Sequence, residues 1–352
     1  MKKRVVIATH VFSPGTSQAF YKYCQRKKFN AIFIQHPLFG NIFSWFWGAV
    51  DTFWQVFRQG KKYDLFFGSN RLNTAVGIML KKAGRAKKVI YFSPDWSQKR
   101  FKNNLLNYFF QKLDYFCVKY ADIVWNSSHE MKLDPMMKER LNLGYPKKWL
   151  NKQIQVSDGT DDYPIPEFSK INRYRIGFVG HLKKEMGVQL AIESLTEIKK
   201  TVPDVSLLII GSGPYEDHLK LMAKNLPVEF TGFIGNIFDV YKILARCAIA
   251  IAPYEETNEN ISQFSDPGKT KNYFSVGLPI IITKVPKIAD EIDYAKAGIA
   301  IHYRKQQFIN AAVKLLKENN LKIYRKNVLQ LKKKYGWDRI FDRALRLTNN
   351  SK

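Results

Sequence analysis

The chain has 352 residues, of which 45% are hydrophobic and 25% charged, the proportions of an ordinary soluble protein long enough for two domains. Its 57 Lys and Arg residues against 30 Asp and Glu give a net charge of +27, which excludes an acidic, solvating protein. Residues 1–148 carry 26 Lys and Arg against 8 Asp and Glu, and the remainder carries 31 against 22. A basic half of this kind indicates an anionic partner: a membrane surface, nucleic acid or a phosphorylated substrate.

The cysteines and the N-terminus predict a cytoplasmic protein. Cys24, Cys117 and Cys247 are isolated within apolar patterns and form neither a metal-binding spacing nor a disulfide framework. The apolar run after the first basic residues is only about five residues long, which is typical of a strand and too short for a secretion signal. No apolar window reaches the ~20 residues that span a bilayer.

The first half alternates short apolar runs with longer segments of helical periodicity, which predicts a doubly wound parallel α/β domain. The predicted strands are residues 5–8, 31–35, 64–67, 88–92 and 123–125, and the main predicted helices are residues 17–27, 73–82 and 102–120. Ligands of such domains bind at the carboxyl ends of the strands. Residues that follow the first and fourth strands are therefore candidates for binding an acceptor or donor.

Two loops provide these candidates. After the first strand come His10, Gly15 and Thr16, where glycine allows a ligand to approach the backbone. A structural role for His10 is favoured over acceptor binding. After the fourth strand come Asp95, Trp96 and Arg100. Asp95 either binds or deprotonates an acceptor hydroxyl, as a catalytic residue, or only caps a helix.

Residues 39–57 form an unusually aromatic segment. Six of its apolar residues share one stripe at helical spacing: Phe39, Phe43, Phe46, Val50, Trp54 and Phe57. Such a stripe is ordinarily core, but aromatic residues also cover a second face, and Arg58, Lys61 and Lys62 follow immediately. This combination favours a helix that lies on a membrane surface.

An acidic, proline-containing stretch at residues 157–168 predicts an interdomain linker. Its adjacent Asp161 and Asp162 are expected to be solvated carboxylates rather than metal ligands. Alternation of strands and helices then resumes, with glycine-bounded loops at Gly180 and Gly211.

Residues 266–283 read as a loop, a short helix after Pro267, a turn at Gly277 and a fully apolar strand. The predicted helix N-terminus lies beside Lys269, and this arrangement favours a bound phosphate.

The second half is similar to retaining nucleotide-sugar glycosyltransferases of family 4 (glycosyltransferase group 1). The similarity is carried by an ordered series of segments over about residues 172–345: FVGHLKKEMGVQLAIESL, LLIIGSGP, FTGFIGN, LARCAIAIAPY, DPGKTKNYFSVGLPIIIT and YGWDRI. The resemblance implies the GT-B fold, α/β with two Rossmann-like parallel-sheet domains facing across a cleft. It implies an acceptor domain at residues 1–165, a donor domain at 166–335, and a C-terminal helix at 336–352 that returns to the first domain.

The resemblance also assigns roles. It places the donor diphosphate near Gly180, the base near Gly232, Phe233 and Ile234, and phosphate at Lys269, the second predicted catalytic residue. The further residues expected at the donor site are His181, Lys183, Lys184, Gly211, Asp266, Gly268 and Asn272, together with Gly15 from the first domain.

Four positions depart from the family pattern. His181 and Met186 stand where the family has Arg and Lys, and Lys183 and Lys184 are candidates to replace those cations. Phe264 and Asn272 stand at the positions of the family's two glutamates. Asn272 can still hydrogen-bond a ribose hydroxyl, whereas Phe264 cannot.

The resulting prediction is a retaining, metal-independent glycosyltransferase that uses a UDP- or GDP-sugar as substrate and needs no cofactor. Its acceptor is expected to be a lipid-linked or cell-surface glycan, and its location peripheral on the cytoplasmic face of the cell membrane. The alternative is a degenerate transferase that binds a nucleotide sugar or a partner without turnover. Nucleic acid is not expected as a partner, because no recognition motif accompanies the basic runs.

Overall fold

The computed structural model describes residues 2–10, 15–36, 42–94, 101–127, 135–257 and 266–350. The chain forms two compact units: residues 1–157 together with 337–352, and residues 158–336. Each unit is a parallel six-stranded sheet with helices packed against it. The predicted α/β class is therefore confirmed.

The described residues of the first unit form six strands and six α-helices. Its strands are β1 (Arg4–His10), β2 (Asn30–His36), β3 (Tyr63–Ser69), β4 (Ala86–Ser93), β5 (Ile123–Asn126) and β6 (Gln153–Gln155). Its helices are α1 (Gly15–Arg26), α2 (Ile42–Arg58), α3 (Arg71–Lys82), α4 (Asn104–Tyr120), α5 (Pro135–Asn142) and, from the C-terminus, α13 (Trp337–Asn350).

The strand order of the first unit is β2-β1-β3-β4-β5-β6, and every described pair is parallel. The order reverses between β1 and β3, which makes the carboxyl ends of these strands the expected ligand edge of this sheet. Strands buried on both faces explain the apolar runs in the sequence: Val5, Val6, Ile7 and Ala8 have no exposed surface.

Helix α13 packs against α1 within the first unit. The Tyr23 hydroxyl donates to Asp342 Oδ1 at 2.6 Å, and the Trp125 indole donates to Thr348 Oγ1 at 3.0 Å. Arg26 forms an ion pair with Asp338. Helix α13 is thus held against α1 as part of the first unit.

In the part of the second unit that the structure describes there are six strands and seven α-helices. Its strands are β7 (Arg175–Val179), β8 (Ser206–Ile210), β9 (Val228–Gly232), β10 (Ile249–Ala252), β11 (Ile280–Thr283) and β12 (Gly298–Ile301). Its helices are α6 (Val188–Thr201), α7 (Glu216–Met222), α8 (Ile237–Leu244), α9 (Gly268–Ser275), α10 (Ile288–Tyr294), α11 (Lys305–Leu316) and α12 (Glu318–Lys334).

The strand order of the second unit is β12-β11-β10-β7-β8-β9. Counted from the first strand of this unit, it is the order 3-2-1-4-5-6 of dinucleotide-binding α/β folds. The order reverses between β7 and β10; β10 is apolar and fully buried, and β7 is buried over its three central residues. Ligands of such sheets bind beyond the carboxyl ends of these two central strands.

The acidic stretch that begins the second unit packs against it. The Thr160 amide donates to the Tyr335 carbonyl at 2.8 Å, and the Asp161 amide donates to Ser275 Oγ at 2.9 Å. The Tyr241 hydroxyl donates to Asp161 Oδ2 at 2.8 Å. Only Asp162 matches the expectation of solvated carboxylates, because Asp161 is held against α8 and α9.

Helix α2 packs its small residues and the rings of Phe53 and Phe57 against the core, but it leaves other large residues exposed. Gly48, Ala49, Thr52 and Val56 are buried, whereas Phe46 is 58% exposed and Trp54 46% exposed. The interpretation of the aromatic stripe as core therefore fails at these two rings. Phe39 and the Phe43 side chain lie outside what the structure describes. No helix among the described residues combines the length and the apolar composition that crossing a bilayer requires.

Candidate functional site

The candidate site lies where the second sheet reverses its strand order, and α9 is anchored there by one tyrosine. The Tyr273 hydroxyl accepts a hydrogen bond from the Val179 amide at 3.0 Å and donates to the Ile251 carbonyl at 2.9 Å. Val179 ends β7, and Ile251 lies near the end of β10. Fully buried Tyr273 thereby fixes α9, and with it the helix N-terminus, against the carboxyl ends of both central strands.

Lys269 occupies an aromatic environment at the start of α9. Its Nζ lies 4.5 Å from the ring centroid of Phe178 and 4.7 Å from that of Tyr254, and it is 3.6 Å from the sulfur of Met186. Cation–π contacts of this kind stabilise the ammonium only partly. Burial lowers the pKa of Lys269 to about 7. The amine is therefore poised to gain a proton when an anion binds beside it.

Gly180, directly after β7, leaves room for Lys269. Its φ of +150° is an unfavourable conformation for a side chain, and a Cβ there would lie 3.2 Å from Lys269 Nζ. Gly211 follows β8 and packs backbone to backbone on the same loop, because a Cβ at this position would lie 2.0 Å from the Gly180 carbonyl oxygen. Both glycines thus permit close approach at the end of the sheet, which is what a phosphate-binding loop needs.

A buried ion pair fixes the chain that enters α9. Lys271 Nζ contacts Asp266 Oδ1 at 2.6 Å, with both side chains almost fully buried, and the Asp158 amide donates to Asp266 Oδ2 at 3.1 Å. Lys271 also lies 4.3 Å from the ring centroid of Tyr335. Asp266 is predicted to bind the donor, and in the structure its carboxylate forms this ion pair at the start of α9.

A second carboxylate lies beside the N-terminus of α9. Asp158 Oδ2 is 3.4 Å from the position that a Cβ on Gly268 would occupy. An anion is favoured at this end of a helix. A phosphate that binds here would therefore meet a nearby negative charge as well as Lys269.

Asn272 takes part in a polar cluster within the second unit. The Tyr241 hydroxyl lies 3.1 Å from Asn272 Oδ1 and 2.8 Å from Asp161 Oδ2. Burial and the neighbouring Asp161 raise the pKa of Tyr241, so this hydroxyl keeps its proton. The predicted ribose-binding residue thus has one contact to a side chain of α8.

The predicted cations after β7 lie at the surface, whereas Met186 lies next to Lys269. His181, Lys183 and Lys184 are exposed, and Lys183 Nζ is 3.8 Å from Glu185 Oε1. The Met186 sulfur contacts Lys269 Nζ at 3.6 Å. A lysine at position 186 would therefore add a second cation at this point, which the present chain does not have.

The predicted base-binding residues lie at the edge of the same sheet. Gly232 ends β9, and its carbonyl accepts a hydrogen bond from the Gly211 amide at 2.9 Å. Phe233 is 78% exposed, and Ile234 follows it. An exposed aromatic ring next to a glycine turn is available for stacking on a planar ligand.

Some of the residues predicted in the first unit are described by the structure, and others are not. Gly15 and Thr16 begin α1, and a side chain added at Gly15, whose φ is +38°, would enter open space. Asp95, Trp96 and Arg100 lie outside the described residues, as does Phe264 of the second half.

His10 ends β1 and is buried. Its Nδ1 lies 2.9 Å from Asn73 Nδ2, and Gly48 of α2 packs so closely that a Cβ there would be 2.4 Å from His10 Nε2. Burial, together with nearby His36, lowers the pKa of His10 to about 4, so the ring is neutral at neutral pH. These contacts make His10 part of the packing between β1, α2 and α3.

A buried ionic cluster near the carboxyl ends of β4 and β5 was not predicted from the sequence. Asp114 accepts hydrogen bonds from Arg71, Arg140, Tyr91 and Tyr145 at distances of 2.5–3.1 Å. Arg140, fully buried, also donates to three polar groups: Asn126, Gln153 and Ser93. The two arginines hold the pKa of Asp114 well below its usual range despite its burial. These residues are far apart in sequence and have no common motif, so only the fold brings them together.

Among the described residues, no three His, Cys, Asp or Glu side chains are grouped so that they would hold a metal ion.

Part of the chain is similar in sequence to known glycosyltransferases. Residues 173–318 match the protein-family model "Glycosyl transferases group 1". A segment of 132 residues is 26% identical to the GDP-mannose-dependent α-(1-6)-phosphatidylinositol dimannoside mannosyltransferase of Mycobacterium tuberculosis. This match covers 38% of the present chain and 32% of that protein, so the chain spans about a third of the length of the curated relatives it matches.

Solved structures match over almost the whole chain. The Anabaena protein HepE in complex with UDP-glucose aligns with a TM-score of 0.68 and 13% identity, covering 98% of this chain and 99% of that one. The catalytic domain of starch synthase IV from Arabidopsis thaliana, bound to ADP and acarbose, aligns with a TM-score of 0.72 and 12% identity, covering 99% of each chain. At these identities the likeness establishes the fold.

The fold is thus that of GT-B glycosyltransferases, as the sequence predicted. Within the second unit, residues 173–318 are similar to glycosyl transferases group 1, which bears out the resemblance identified in its motifs.

Proposed function

We propose that this protein is a retaining glycosyltransferase that moves a sugar from a UDP- or GDP-linked donor to a lipid-linked or cell-surface glycan. The family match of the second unit supports a nucleotide-sugar-dependent transferase. The observation that carries the proposal is the position of Lys269, at the start of α9 and against the glycine loop at Gly180. The choice between UDP and GDP stays open, because the similar proteins include one solved with UDP-glucose and one that depends on GDP-mannose.

The chemistry requires stabilisation of negative charge on the departing nucleoside diphosphate. Lys269 supplies a cation that is charged when an anion is beside it, and the N-terminus of α9 supplies the partial positive charge of the helix dipole. Such preorganised groups lower the barrier because they interact more strongly as charge develops, and loss of one typically costs ~3 kcal/mol. We propose that this combination replaces a bound metal ion.

Two observations support the proposed acceptor: the name of a similar protein and the charge of the first unit. The name of the mycobacterial relative describes transfer to a phosphatidylinositol dimannoside, which is a glycolipid. A net charge of +21 on the first unit, from 31 Lys and Arg against 10 Asp and Glu, suits an anionic acceptor of this class. Asp95 remains the proposed group that orients the acceptor hydroxyl.

The test is transfer from a panel of radiolabelled UDP- and GDP-sugars into a membrane lipid extract, with and without a chelator. The proposal expects label in the lipid fraction, unchanged by chelation, and the donor's anomeric configuration in the product. Loss of transfer on chelation would refute metal independence, and an inverted product would refute retention.

The second candidate function, binding without turnover, has one observation in its favour. Asn272 stands where the resemblance in the motifs implies a glutamate, and its side-chain oxygen already contacts Tyr241. Binding of a nucleotide sugar with neither transfer nor hydrolysis across the panel would favour this candidate. Restoration of turnover by Asn272→Glu would then show that this position is responsible.

A further inference from the structure

The outward face of α4 is apolar, aromatic and largely exposed, although Tyr115 also packs edge-on against the core rings of Tyr145 and Trp149. The buried side chains of this helix are Asn107, Asp114, Cys117 and Val118. Its exposed large apolar residues are Leu105 (63%), Tyr108 (54%), Phe109 (59%), Tyr115 (37%) and Tyr120 (42%). Single exposed apolar residues are normal, but a stripe along one helix marks an interaction surface.

Helix α2 continues this surface on the other side of α3. Phe46, Trp47 and Trp54 are exposed on α2, Met79 is exposed on α3, and α3 packs against both α2 and α4. Neighbouring helix axes in such layers are 8–10 Å apart, which places α2 and α4 within about 20 Å of each other. We call the exposed residues of these three helices the α2–α4 outer face.

Cations are interleaved with the aromatic rings of this face. The Arg58 guanidinium lies 5.5 Å from the Trp54 ring centroid, and Lys112 Nζ lies 5.3 Å from that of Tyr108. Two further amines lie near the Tyr120 ring, at 5.1 Å for Lys119 and 5.2 Å for Lys82. Within α2 and α4 the one exposed acidic residue is Asp51, because Asp114 is buried.

We propose that the α2–α4 outer face docks on the surface of a bilayer that contains anionic phospholipid. Tyr and Trp rings are stable at the boundary between headgroups and acyl chains, and each nearby basic residue contributes about 1 kcal/mol on an anionic leaflet. The charge decides the occupant: two copies of this chain would bring like-charged faces together, whereas an anionic surface complements them. The anionic leaflet of a cell membrane is the cytoplasmic one.

A membrane fits the apolar composition better than a nucleic acid does. Single-stranded nucleic acids stack on aromatic rings between cations, and they gain little from aliphatic side chains. Leu105 and Met79 are exposed on this face among the rings. Aliphatic and aromatic groups together are typical of helices that lie in a membrane interface. This docking does not depend on the proposed transferase activity.

The experiment is co-sedimentation of the full chain with vesicles of neutral phosphatidylcholine, and with vesicles that also contain about 30% anionic phosphatidylglycerol. We expect binding to the anionic vesicles at least tenfold stronger, and reduced by high salt. The double variants Trp47→Ser/Phe109→Ser and Lys112→Gln/Lys119→Gln should each weaken it at least tenfold. Tyr294→Ser is the matched control, because Tyr294 is 92% exposed on the second unit and should bind as the unsubstituted chain does.

Three results would overturn the proposal. The first is equal binding to neutral and anionic vesicles, or none to either. The second is a dimer, seen by analytical ultracentrifugation without lipid, that the Trp47→Ser/Phe109→Ser variant abolishes. The third is binding of single-stranded RNA that both double variants lose while vesicle binding persists. Circular dichroism of the variants separates loss of docking from loss of folding, since all substituted side chains are at the surface.

Discussion

Nucleotide-sugar binding should depend on pH through Lys269. In the free protein burial lowers the pKa of this amine to about 7, and a diphosphate beside it would raise the pKa, since an opposite charge favours the charged form. Binding is therefore coupled to proton uptake. Affinity is highest below pH 7, where the amine is already protonated, and it is lost as the pH rises through 7.

The size of the effect follows from the depressed pKa. If only the protonated amine binds, and the pKa in the complex returns to the ordinary lysine value, affinity falls about 30-fold between pH 6 and pH 8.5. That ratio corresponds to about 2 kcal/mol. It falls within the ~1.5–3 kcal/mol typical of hydrogen bonds to charged groups.

Isothermal titration with a nucleotide sugar, in buffers of different ionisation enthalpy, measures both the affinity and the proton uptake. A nucleotide sugar is preferable to a free nucleoside diphosphate, because its diphosphate diester does not titrate near neutrality. Lys269→Arg should remove the pH dependence, since a guanidinium stays charged throughout. Lys269→Ala should bind at least tenfold more weakly at pH 6. The exposed Lys224, changed to Ala, is the matched control. An affinity of the unsubstituted protein that does not change with pH would refute the role assigned to Lys269.

Three further substitutions test the site that holds this lysine. Asp266→Ala should lower the free energy of unfolding by about 3–5 kcal/mol, because it leaves Lys271 charged and buried. The double variant Asp266→Leu/Lys271→Met should lose much less stability, because neither charge remains. Equal losses of the two variants in denaturant titrations would contradict this. Tyr273→Phe removes the hydroxyl that hydrogen-bonds to both β7 and β10. It should lower the free energy of unfolding by about 1–3 kcal/mol in the same titration and weaken nucleotide binding. Unchanged stability would show that the hydroxyl does not anchor α9. Met186→Lys places a second cation beside Lys269 and should strengthen nucleotide-sugar binding several-fold; weaker binding would mean that the diphosphate lies elsewhere.

The fold was largely predictable because its signals are local. Apolar runs such as Val5–Ala8 mark strands buried on both faces, and helical periodicity separates them. The predicted helix at residues 266–283 is present as α9 and is followed by β11. Elements without such signals were not predicted: β6 has only three residues, and α5 has a weakly apolar sequence.

The candidate site was predictable only in part. Glycines and a lysine near strand ends indicated Gly180 and Lys269, because both residue types have local reasons to be there. The rings of Phe178 and Tyr254 could not be assigned to Lys269, since their contact depends on the order of β7 and β10 in the sheet. The ion pair between Asp266 and Lys271 could not be predicted either. The two residues are five positions apart, and their contact depends on how the chain turns into α9.

Hydrogen exchange of backbone amides, measured by mass spectrometry with and without a bound nucleotide sugar, tests most directly where the donor binds. Protection on binding should concentrate in two segments of the second unit, the loop after Gly180 and the first turn of α9 at Lys269. Lys269→Ala should lose this protection at the same ligand concentration. Protection confined to other segments, or none at saturating concentrations of the UDP- and GDP-sugars, would contradict this placement of the donor.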